Sequence, residues 1–308
     1  MDVATGTYTG NGTAQTVDTG LSGIDFLLIK GGANIAVFRT STMAADSAKQ
    51  ATGGASLATG RVTSITGGTF DVGSNAQVNA NAAAYYWLAI KAAAADCKVG
   101  TYTGDGGTQA VTGVGFQPDL VITLGAGARA PYFKTTTMGT TNSQSFASAG
   151  ALLTTRITAL GADGFTVSTN GDVNQTGEVF HYVALKEQAD RFDVFTYTGD
   201  GADDRSITLA LDPAVALTKA SSATAATAAA LRFEDQTATE SFQIDATAAA
   251  TDKIQSFGTD SMVVGTHVGV NETGGTTPYH GFAFDEGTDT PPVTGPPVGS
   301  AMLLGVGR

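Results

Sequence analysis

Short apolar runs between turn residues make up most of the hydrophobic pattern of this chain. Residues 26–29 (Phe-Leu-Leu-Ile) and 120–122 (Leu-Val-Ile) are uninterrupted, a pattern typical of strands covered on both faces. Residues 165–167 (Phe-Thr-Val) alternate apolar and polar positions, as a half-buried strand does. Gly67-Gly68 and Asp163-Gly164 hold equivalent places and indicate hairpin turns, because such dipeptides tolerate positive φ. Turn signals every 8–12 residues or so predict a β-sandwich or barrel.

The pattern occurs three times. The motif Tyr-Thr-Gly-Asn/Asp-Gly begins at Tyr8, Tyr102 and Tyr197, which are spaced by 94 and 95 residues. Other landmarks keep the same spacing in the same order, so coincidence is a poor explanation. They are Phe38-Arg39-Thr40 and Phe133-Lys134-Thr135, the cations Arg61, Arg156 and Lys253, the pairs Val78-Asn79, Val173-Asn174 and Val270-Asn271, and the aromatic segments at 85–90, 180–185 and 279–284.

These landmarks predict an all-β chain of three tandem antiparallel β-sandwich repeats of jelly-roll-like form. We place the repeats at 1–95, 96–190 and 191–287, followed by a Pro-rich linker and C-terminal tail at 288–308. The units can form either an extended rod or a compact pseudo-threefold cluster. Unit 3 aligns poorly at 223–239, where the Ala-rich residues 223–230 leave a short helix as an alternative.

Two segments close the chain. Consecutive prolines within residues 290–297 predict an extended, polyproline-like linker. Residues 301–306 (Ala-Met-Leu-Leu-Gly-Val) are apolar. They either dock on a neighbour or on unit 3, or form a frayed terminus.

The amino-acid composition of the chain limits the classes of partner that it can bind. Charged residues make up 14% of the chain, well below the roughly 25% of ordinary soluble domains. The net charge is −12 and no Lys/Arg cluster occurs, which argues against nucleic acid and against anionic bilayers. We find neither a signal-peptide pattern at the N-terminus nor an apolar stretch that approaches a membrane span, so we predict no membrane insertion.

Candidate catalytic groups are few, and no cofactor motif accompanies them. His181 and His280 occupy one position in units 2 and 3, where unit 1 has Tyr86; this favours a strand residue over a catalytic base. His267 stands alone in a predicted turn. The single cysteine, Cys97, cannot form an internal disulfide, and no local sequence pairs it with a histidine. Neither a Gly-x-Ser-x-Gly turn nor a phosphate-binding loop is present.

Two acidic loops are the candidate Ca²⁺ sites. One contains Asp200, Asp203 and Asp204, and the other contains Asp285, Glu286 and Asp289. Loop carboxylates bind Ca²⁺, but neither run has the alternating spacing of the known calcium loop. Solvated acidic loops are therefore the preferred interpretation, and we predict no metal.

Aromatic residues are the candidates for binding sugars. Alternation along a strand places half of them in the core, so packing is the preferred role wherever a position repeats. The candidates are Tyr85, Tyr86, Trp87, Tyr132, Phe180, Tyr182 and Tyr279.

The residues together resemble a repeat family of tailed-bacteriophage virion proteins and their prophage-encoded homologues. The resemblance lies in the Tyr-Thr-Gly-Asn/Asp-Gly motif, in residues 115–122 (Gly-Phe-Gln-Pro-Asp-Leu-Val-Ile), and in the Gly-Phe-Thr-Val and Asp-Val-Asn segments of unit 2. It covers the chain from about Thr7 to Glu286. Unit 1 departs from it with Gly23-Ile24-Asp25-Phe26, and unit 3 with Leu211-Asp212-Pro213.

This resemblance implies a non-enzymatic virion structural protein, tail-fibre-like or capsid-decorating, that acts in particle assembly and host-surface attachment. It implies capsid or tail proteins as partners, a homo-oligomer such as a trimer, and a place on the particle surface after synthesis in the host cytoplasm. The alternative is a glycan-binding adhesin module on a phage or bacterial surface. A polysaccharide-degrading enzyme with two catalytic carboxylates is the least favoured reading.

Overall fold

The computed structural model describes residues 1–147, 150–222, 227–237 and 239–287. The predicted Pro-rich linker and apolar tail lie outside these residues.

Each third of the chain contains eight strands and a single-turn helix. In unit 1 these are β1 (Asp2–Thr9), β2 (Gln15–Asp18), β3 (Phe26–Lys30), β4 (Val37–Thr40), β5 (Lys49–Gln50), β6 (Val62–Thr66), β7 (Thr69–Val72), α1 (Ala76–Asn79) and β8 (Ala84–Lys91).

Unit 2 repeats the order with β9 (Cys97–Thr103), β10 (Gln109–Thr112), β11 (Leu120–Gly125), β12 (Tyr132–Thr135), β13 (Gln144–Ser145), β14 (Ile157–Gly161), β15 (Gly164–Val167), α2 (Gly171–Asn174) and β16 (Val179–Leu185).

Unit 3 contains β17 (Phe192–Thr198), β18 (Arg205–Thr208), β19 (Val215–Ala220), β20 (Ala230–Phe233), β21 (Phe242–Gln243), β22 (Ile254–Gly258), β23 (Ser261–Val264), α3 (Val268–Asn271) and β24 (Pro278–Phe284).

Two antiparallel sheets form each unit. The five-stranded sheet of unit 1 has the order β1-β8-β3-β4-β5, the three-stranded sheet has the order β2-β7-β6, and units 2 and 3 have the same orders. The first strand pairs with the last and the second with the seventh, so the termini of a unit lie side by side, as in a jelly roll. The predicted class, three tandem antiparallel β-sandwich repeats, is confirmed.

The third strand of each unit is buried on both faces, as its uninterrupted apolar sequence predicts. In β3, Leu27 and Ile29 face the small sheet and pack into the core between the two sheets. Phe26 and Leu28 point the other way, into a second core that residues of all three units share. Each five-stranded sheet is therefore an inner sheet, covered by its own small sheet on one side and by the other units on the opposite side.

The shared core determines how the units are arranged. Phe146 of unit 2 is fully buried, and its ring centroid lies 5.2 Å from that of Phe38 in unit 1 and 6.5 Å from that of Phe282 in unit 3. Between units 2 and 3, the Phe133 and Phe282 rings are 5.9 Å apart. Of the two arrangements that the sequence left open, the compact pseudo-threefold cluster is the one observed.

Backbone hydrogen bonds join the units at equivalent places. Ala36 N donates to Ile244 O of unit 3, and Ala229 N donates to Phe146 O of unit 2, both at 2.8 Å. The third equivalent position is Pro131, which has no N–H, so this bond is missing between units 2 and 1. The cluster is therefore a ring of three similar junctions, of which two are linked by the peptide chain.

The junction between unit 3 and unit 1 is closed without a covalent link. Glu187, two residues beyond β16, accepts a hydrogen bond from Val194 N on the first strand of unit 3 at 3.2 Å. Glu286, two residues beyond β24, accepts in the same way from Thr5 N and Thr5 Oγ1 on the first strand of unit 1. The Met1 ammonium lies 3.0 Å from the Asp96 carboxylate. The end of unit 3 thus lies beside the start of unit 1.

Unit 3 accounts for most differences from the predicted elements. Register places Leu231-Arg232-Phe233 where unit 1 has Phe38-Arg39-Thr40, so β20 is the strand that the sequence alignment missed. The alternative helix at 223–230 is not formed where the structure describes it: residues 227–229 have no regular secondary structure and Ala230 begins β20. Residues 223–226 lie outside the described part.

Both predicted hairpin turns are confirmed, and the turn in unit 2 lies one residue earlier than predicted. Gly67-Gly68 forms the two-residue loop between β6 and β7, whereas the loop between β14 and β15 is Ala162-Asp163, and Gly164 already belongs to the strand.

We expect Phe146→Ala to destabilise the whole molecule. The substitution removes ring contacts to all three units and leaves a cavity, which costs about 3–5 kcal/mol of unfolding free energy. Urea unfolding followed by tryptophan fluorescence, which reports on unit 1, and by circular dichroism, which reports on all units, should give one coincident transition. Separate transitions for the two signals would contradict a shared core.

A circular permutant tests the noncovalent junction. We expect a chain in which a short Gly/Ser linker joins Gly287 to Met1, with new ends between Ala94 and Ala95, to fold with nearly unchanged stability. The control permutant opens the chain inside β3, between Leu27 and Leu28, and should not fold. Circular dichroism and thermal unfolding compare them; failure of the first permutant to fold would show that the ends do not meet.

Candidate functional site

The repeated Tyr-Thr-Gly-Asn/Asp-Gly motif has a structural role in each unit, and we call the set of contacts that it forms the lock. In unit 2, Asn174 at the end of α2 is fully buried; its Oδ1 accepts from Asp105 N at 2.8 Å, and its Nδ2 donates to Gly107 O at 2.6 Å. The Tyr102 hydroxyl donates to Val173 O in the same helix. A Cβ at Gly104 would meet Gln175 O at 2.3 Å, so only glycine permits this approach.

Units 1 and 3 build the lock in the same way. Asn79 Oδ1 accepts from Asn11 N, and Asn271 Oδ1 accepts from Asp200 N, each at 2.8 Å. The tyrosine that begins the motif also stacks on the closing strand, with Tyr8 5.2 Å from Tyr85. The most conspicuous motif of the sequence therefore joins the first turn, the single-turn helix and the last strand of each unit.

The structure buries the aromatic candidates for sugar binding. Tyr86 is half-buried, and its ring stacks on Phe233 of unit 3 with centroids 5.7 Å apart. The other six are buried at 5% exposure or less, so the seven do not form an exposed aromatic platform. They are Tyr85, Trp87, Tyr132, Phe180, Tyr182 and Tyr279.

Two of the three histidines lie at junctions between units. His181 Nδ1 lies 2.8 Å from Thr42 Oγ1 of unit 1, and His280 Nδ1 lies 3.0 Å from Thr137 Oγ1 of unit 2. Both rings are 5% exposed. Burial lowers the pKa of His181, and burial followed by the charge of Lys134 lowers the pKa of His280 to about 4. Both rings are therefore neutral at pH 7 and hold neighbouring units together.

The third histidine has a local role. His267 precedes α3, and its Nδ1 accepts a hydrogen bond from Gly269 N at 2.9 Å, as Asn75 and Asn170 cap the equivalent helices. It is half-buried, and no described cysteine or serine is its hydrogen-bonding partner.

At the third junction Tyr86 replaces the histidine, and carboxylates gather beside it. Burial raises the pKa of Glu234 to about 7, helped by the charges of Glu286, Asp235 and Asp285. Burial, followed by Asp235, also raises the pKa of Tyr86. No peptide segment links units 3 and 1, and the polar groups at their junction also differ most from those at the other two junctions.

The acidic loops have internal partners. Asp200 accepts from Ala202 N and pairs with Arg205 at 3.3 Å, and Asp203 accepts from Asp204 N and from Gln255. Within the described residues, no group of His, Cys, Asp and Glu side chains has the geometry to hold a metal ion. Asp289, part of the second candidate loop, lies outside them.

Cys97 is a buried core residue. It is 1% exposed and belongs to the shared core, and burial raises the pKa of its thiol to about 12. A thiol in this state is a poor nucleophile.

Sequence reasoning missed that five lysines are buried, namely Lys30, Lys49, Lys134, Lys219 and Lys253. Lys30, Lys49, Lys134 and Lys219 are at most 3% exposed, and burial is the first cause that lowers the pKa of each to about 8. Lys30 donates to Asp245 O of unit 3, and Lys49 to Gly127 O of unit 2. Lys30 directly follows the apolar run of β3, which was the available signal that its side chain starts in the core.

A cleft of about 390 Å³ lies beside the linker between units 2 and 3. Its charged lining consists of Asp190, Asp212, Asp260, Asp285 and Arg191. The lining that the structure describes contains no serine, threonine, cysteine or histidine, so the groups there that could act as nucleophile or base are its carboxylates.

Comparison of the chain with protein-family models, with curated proteins and with solved structures finds no match. The helices that the structure describes are four residues long, too short to cross a bilayer.

We expect Asn174→Asp to cost about 2–4 kcal/mol of unfolding free energy. The change removes the NH₂ donor from Gly107 O and places a carboxylate 3.0 Å from Asp105 Oδ1. Asn170→Asp is the matched control, since Asp caps a helix as well as Asn does, and its effect should be near zero. Urea denaturation measures both; equal effects would argue against the lock.

Acid should weaken the protein through His280. Its pKa falls from 6.5 in the unfolded chain to about 4 in the folded one, so the unfolded chain binds the proton first. The stability contribution is therefore full above pH 6.5 and is lost as the pH falls toward 4. His280→Phe should reduce the stability lost between pH 7 and pH 4 by an amount on the order of 3 kcal/mol.

The control for this experiment is His267→Asn, which keeps the helix cap and removes a less buried ring. We expect it to change the pH dependence of the unfolding free energy less than His280→Phe does. The same acid-induced loss in wild type and in His280→Phe would show that this histidine does not control the junction.

Proposed function

We propose that this chain is a non-enzymatic structural component of a bacteriophage particle, tail-fibre-like or capsid-decorating, and that it acts at the particle surface. The observation that carries the proposal is the closed ring of three similar units around one shared core. One chain thereby presents three similar faces about an axis, which suits a position of threefold or sixfold symmetry in a larger assembly.

The chemistry of the described residues supports a mechanical role. The histidines join units or cap a helix, the thiol is buried, and the repeated motif serves the fold. Among residues 1–147, 150–222, 227–237 and 239–287, the large exposed apolar side chains are Val179 and Val268, and few residues of the chain are charged. Interfaces between subunits are depleted in charge in the same way.

The alternative, a glycan-binding adhesin module, lacks a specific observation in its favour, because the aromatic candidates are buried. Further association of whole chains, including a trimer, belongs to the main proposal, with capsid or tail proteins as the partners.

The test is whether the protein joins particles. A tagged copy, expressed during infection by the phage that encodes the chain, should sediment with purified particles in a density gradient. Tailless heads and free tails, separated in parallel, distinguish capsid decoration from a tail position. Tagged protein found only in the unassembled fraction would contradict the proposal.

Two further assays distinguish this proposal from an adhesin and from an enzyme. Binding of the free protein to intact host cells, but not to particles, would favour the adhesin. Release of reducing ends from host polysaccharide would overturn the non-enzymatic assignment.

A further inference from the structure

One peptide bond of this chain lies next to a side chain that can break it. Of the eight prolines, Pro213 is the one that follows an aspartate, Asp212. An aspartate carboxylate reaches its own carbonyl carbon by closing a small ring, so the chain itself holds the two reacting atoms together. The Pro213 nitrogen belongs to a tertiary amide and leaves as a basic secondary amine.

The loop between β18 and β19 presents this bond to solvent. Asp212 is exposed, whereas Leu211 and Pro213 on either side of it are buried, so the loop is anchored around the bond. Asp212 Oδ1 accepts a hydrogen bond from Asp260 N at 2.7 Å, which holds the carboxylate through one oxygen. Asp212 also lines the cleft of about 390 Å³ beside the linker between units 2 and 3, which has room for water.

The same cleft contains groups that can supply a proton. The carboxylates of Asp190, Asp260 and Asp285 line it together with Asp212. A carboxylic acid near a departing nitrogen acts as a general acid, and this kind of catalysis contributes about 10²–10⁴ in rate. The nucleophile, the scissile bond, the proton donors and water therefore meet in one place.

Unit 2 has the same loop without this chemistry. Strand register aligns Gln117-Pro118 with Asp212-Pro213, and Gln117 is exposed as Asp212 is. Asp163 stands in the place of Asp260, but Lys186 stands where unit 3 has Asp285. Unit 2 thus provides a matched control within the same molecule.

We propose that the protein cleaves itself between Asp212 and Pro213 in this cleft at mildly acid pH. A carboxylate oxygen of Asp212 attacks the Asp212 carbonyl carbon, the C–N bond to Pro213 breaks, and the nitrogen takes a proton from a carboxylic acid of the cleft. Water then hydrolyses the cyclic anhydride and returns that proton, which leaves two carboxyl groups on Asp212 and a free amine on Pro213. The proposal goes beyond the structural role above and does not depend on it.

The fold predicts that the two products stay together. Strands β17 and β18 precede the bond, and they pair with β24 and β23, which follow it. Residues 1–212 and 213–308 therefore remain one body after the cut and separate on denaturation. Cleavage would release the covalent link between β18 and β19 without opening the ring.

Incubation of the full chain at pH 5 and 37 °C, followed by mass spectrometry of denatured samples, tests the proposal, and circular dichroism checks that the chain stays folded. Wild type should yield fragments 1–212 and 213–308 at least about tenfold faster than the same chain unfolded in urea at this pH, because the fold supplies the proton donors. Size-exclusion chromatography of the cleaved, undenatured sample should show one species of the original size. No cleavage, or equal rates in the folded and unfolded chain, would overturn the proposal.

Two variants identify the reacting group and the role of the cleft. Asp212→Asn keeps the oxygen that accepts from Asp260 N and removes the nucleophile, so it should give no fragments. Gln117→Asp, made in the Asp212→Asn background, places an Asp–Pro bond in the equivalent loop of unit 2, and it should be cut no faster than the unfolded chain. Undiminished cleavage at residue 212 in Asp212→Asn, or cleavage after residue 117 at the wild-type rate, would contradict the proposal.

Discussion

Burial of the inner faces of three five-stranded sheets against one another is the constraint on which the rest of the structure depends. A sandwich of five and three strands covers one face of its larger sheet and leaves the other apolar, with residues such as Phe26 and Leu28 exposed if the unit stood alone. A patch of this kind must be covered. Three units cover one another around a common axis, and the chain therefore behaves as one body with four cores.

The polar interactions follow from this packing. Groups that reach the edge of the shared core have no water to bond, so they bond across the junctions, as His181 does to Thr42 and Lys30 to Asp245 O. The three junctions differ in detail, because Pro131 removes one backbone bond and Tyr86 replaces one histidine. Similar packing with different polar contacts is what duplication of one unit followed by independent substitution produces.

The sequence was informative where one residue type serves one structural purpose. The hairpin between the sixth and seventh strands, the doubly buried third strand and the repeat itself were all predicted. The arrangement of the units was not, because an apolar run such as 26–29 shows that both faces are covered without showing what covers each. The single-turn helices are too short for a hydrophobic period, and β20 lost its landmarks when Leu231 and Phe233 replaced the Phe and Thr of unit 1.

The candidate sites were harder to predict than the fold. Alternation predicted that half of the aromatic candidates would be exposed, but both faces of the inner sheets are covered, so Trp87 is buried on one face of β8 and Tyr86, on the other face, stacks on Phe233 of unit 3.

The central claim is that the three units enclose one core and do not form a rod. Small-angle X-ray scattering of the full chain in solution tests it most directly. A compact body of this length has a radius of gyration of about 19 Å, whereas three sandwiches joined end to end give roughly 30 Å. A value near 19 Å with a single-peaked distance distribution is the predicted result, and a value near 30 Å with an extended tail in that distribution would contradict the shared core.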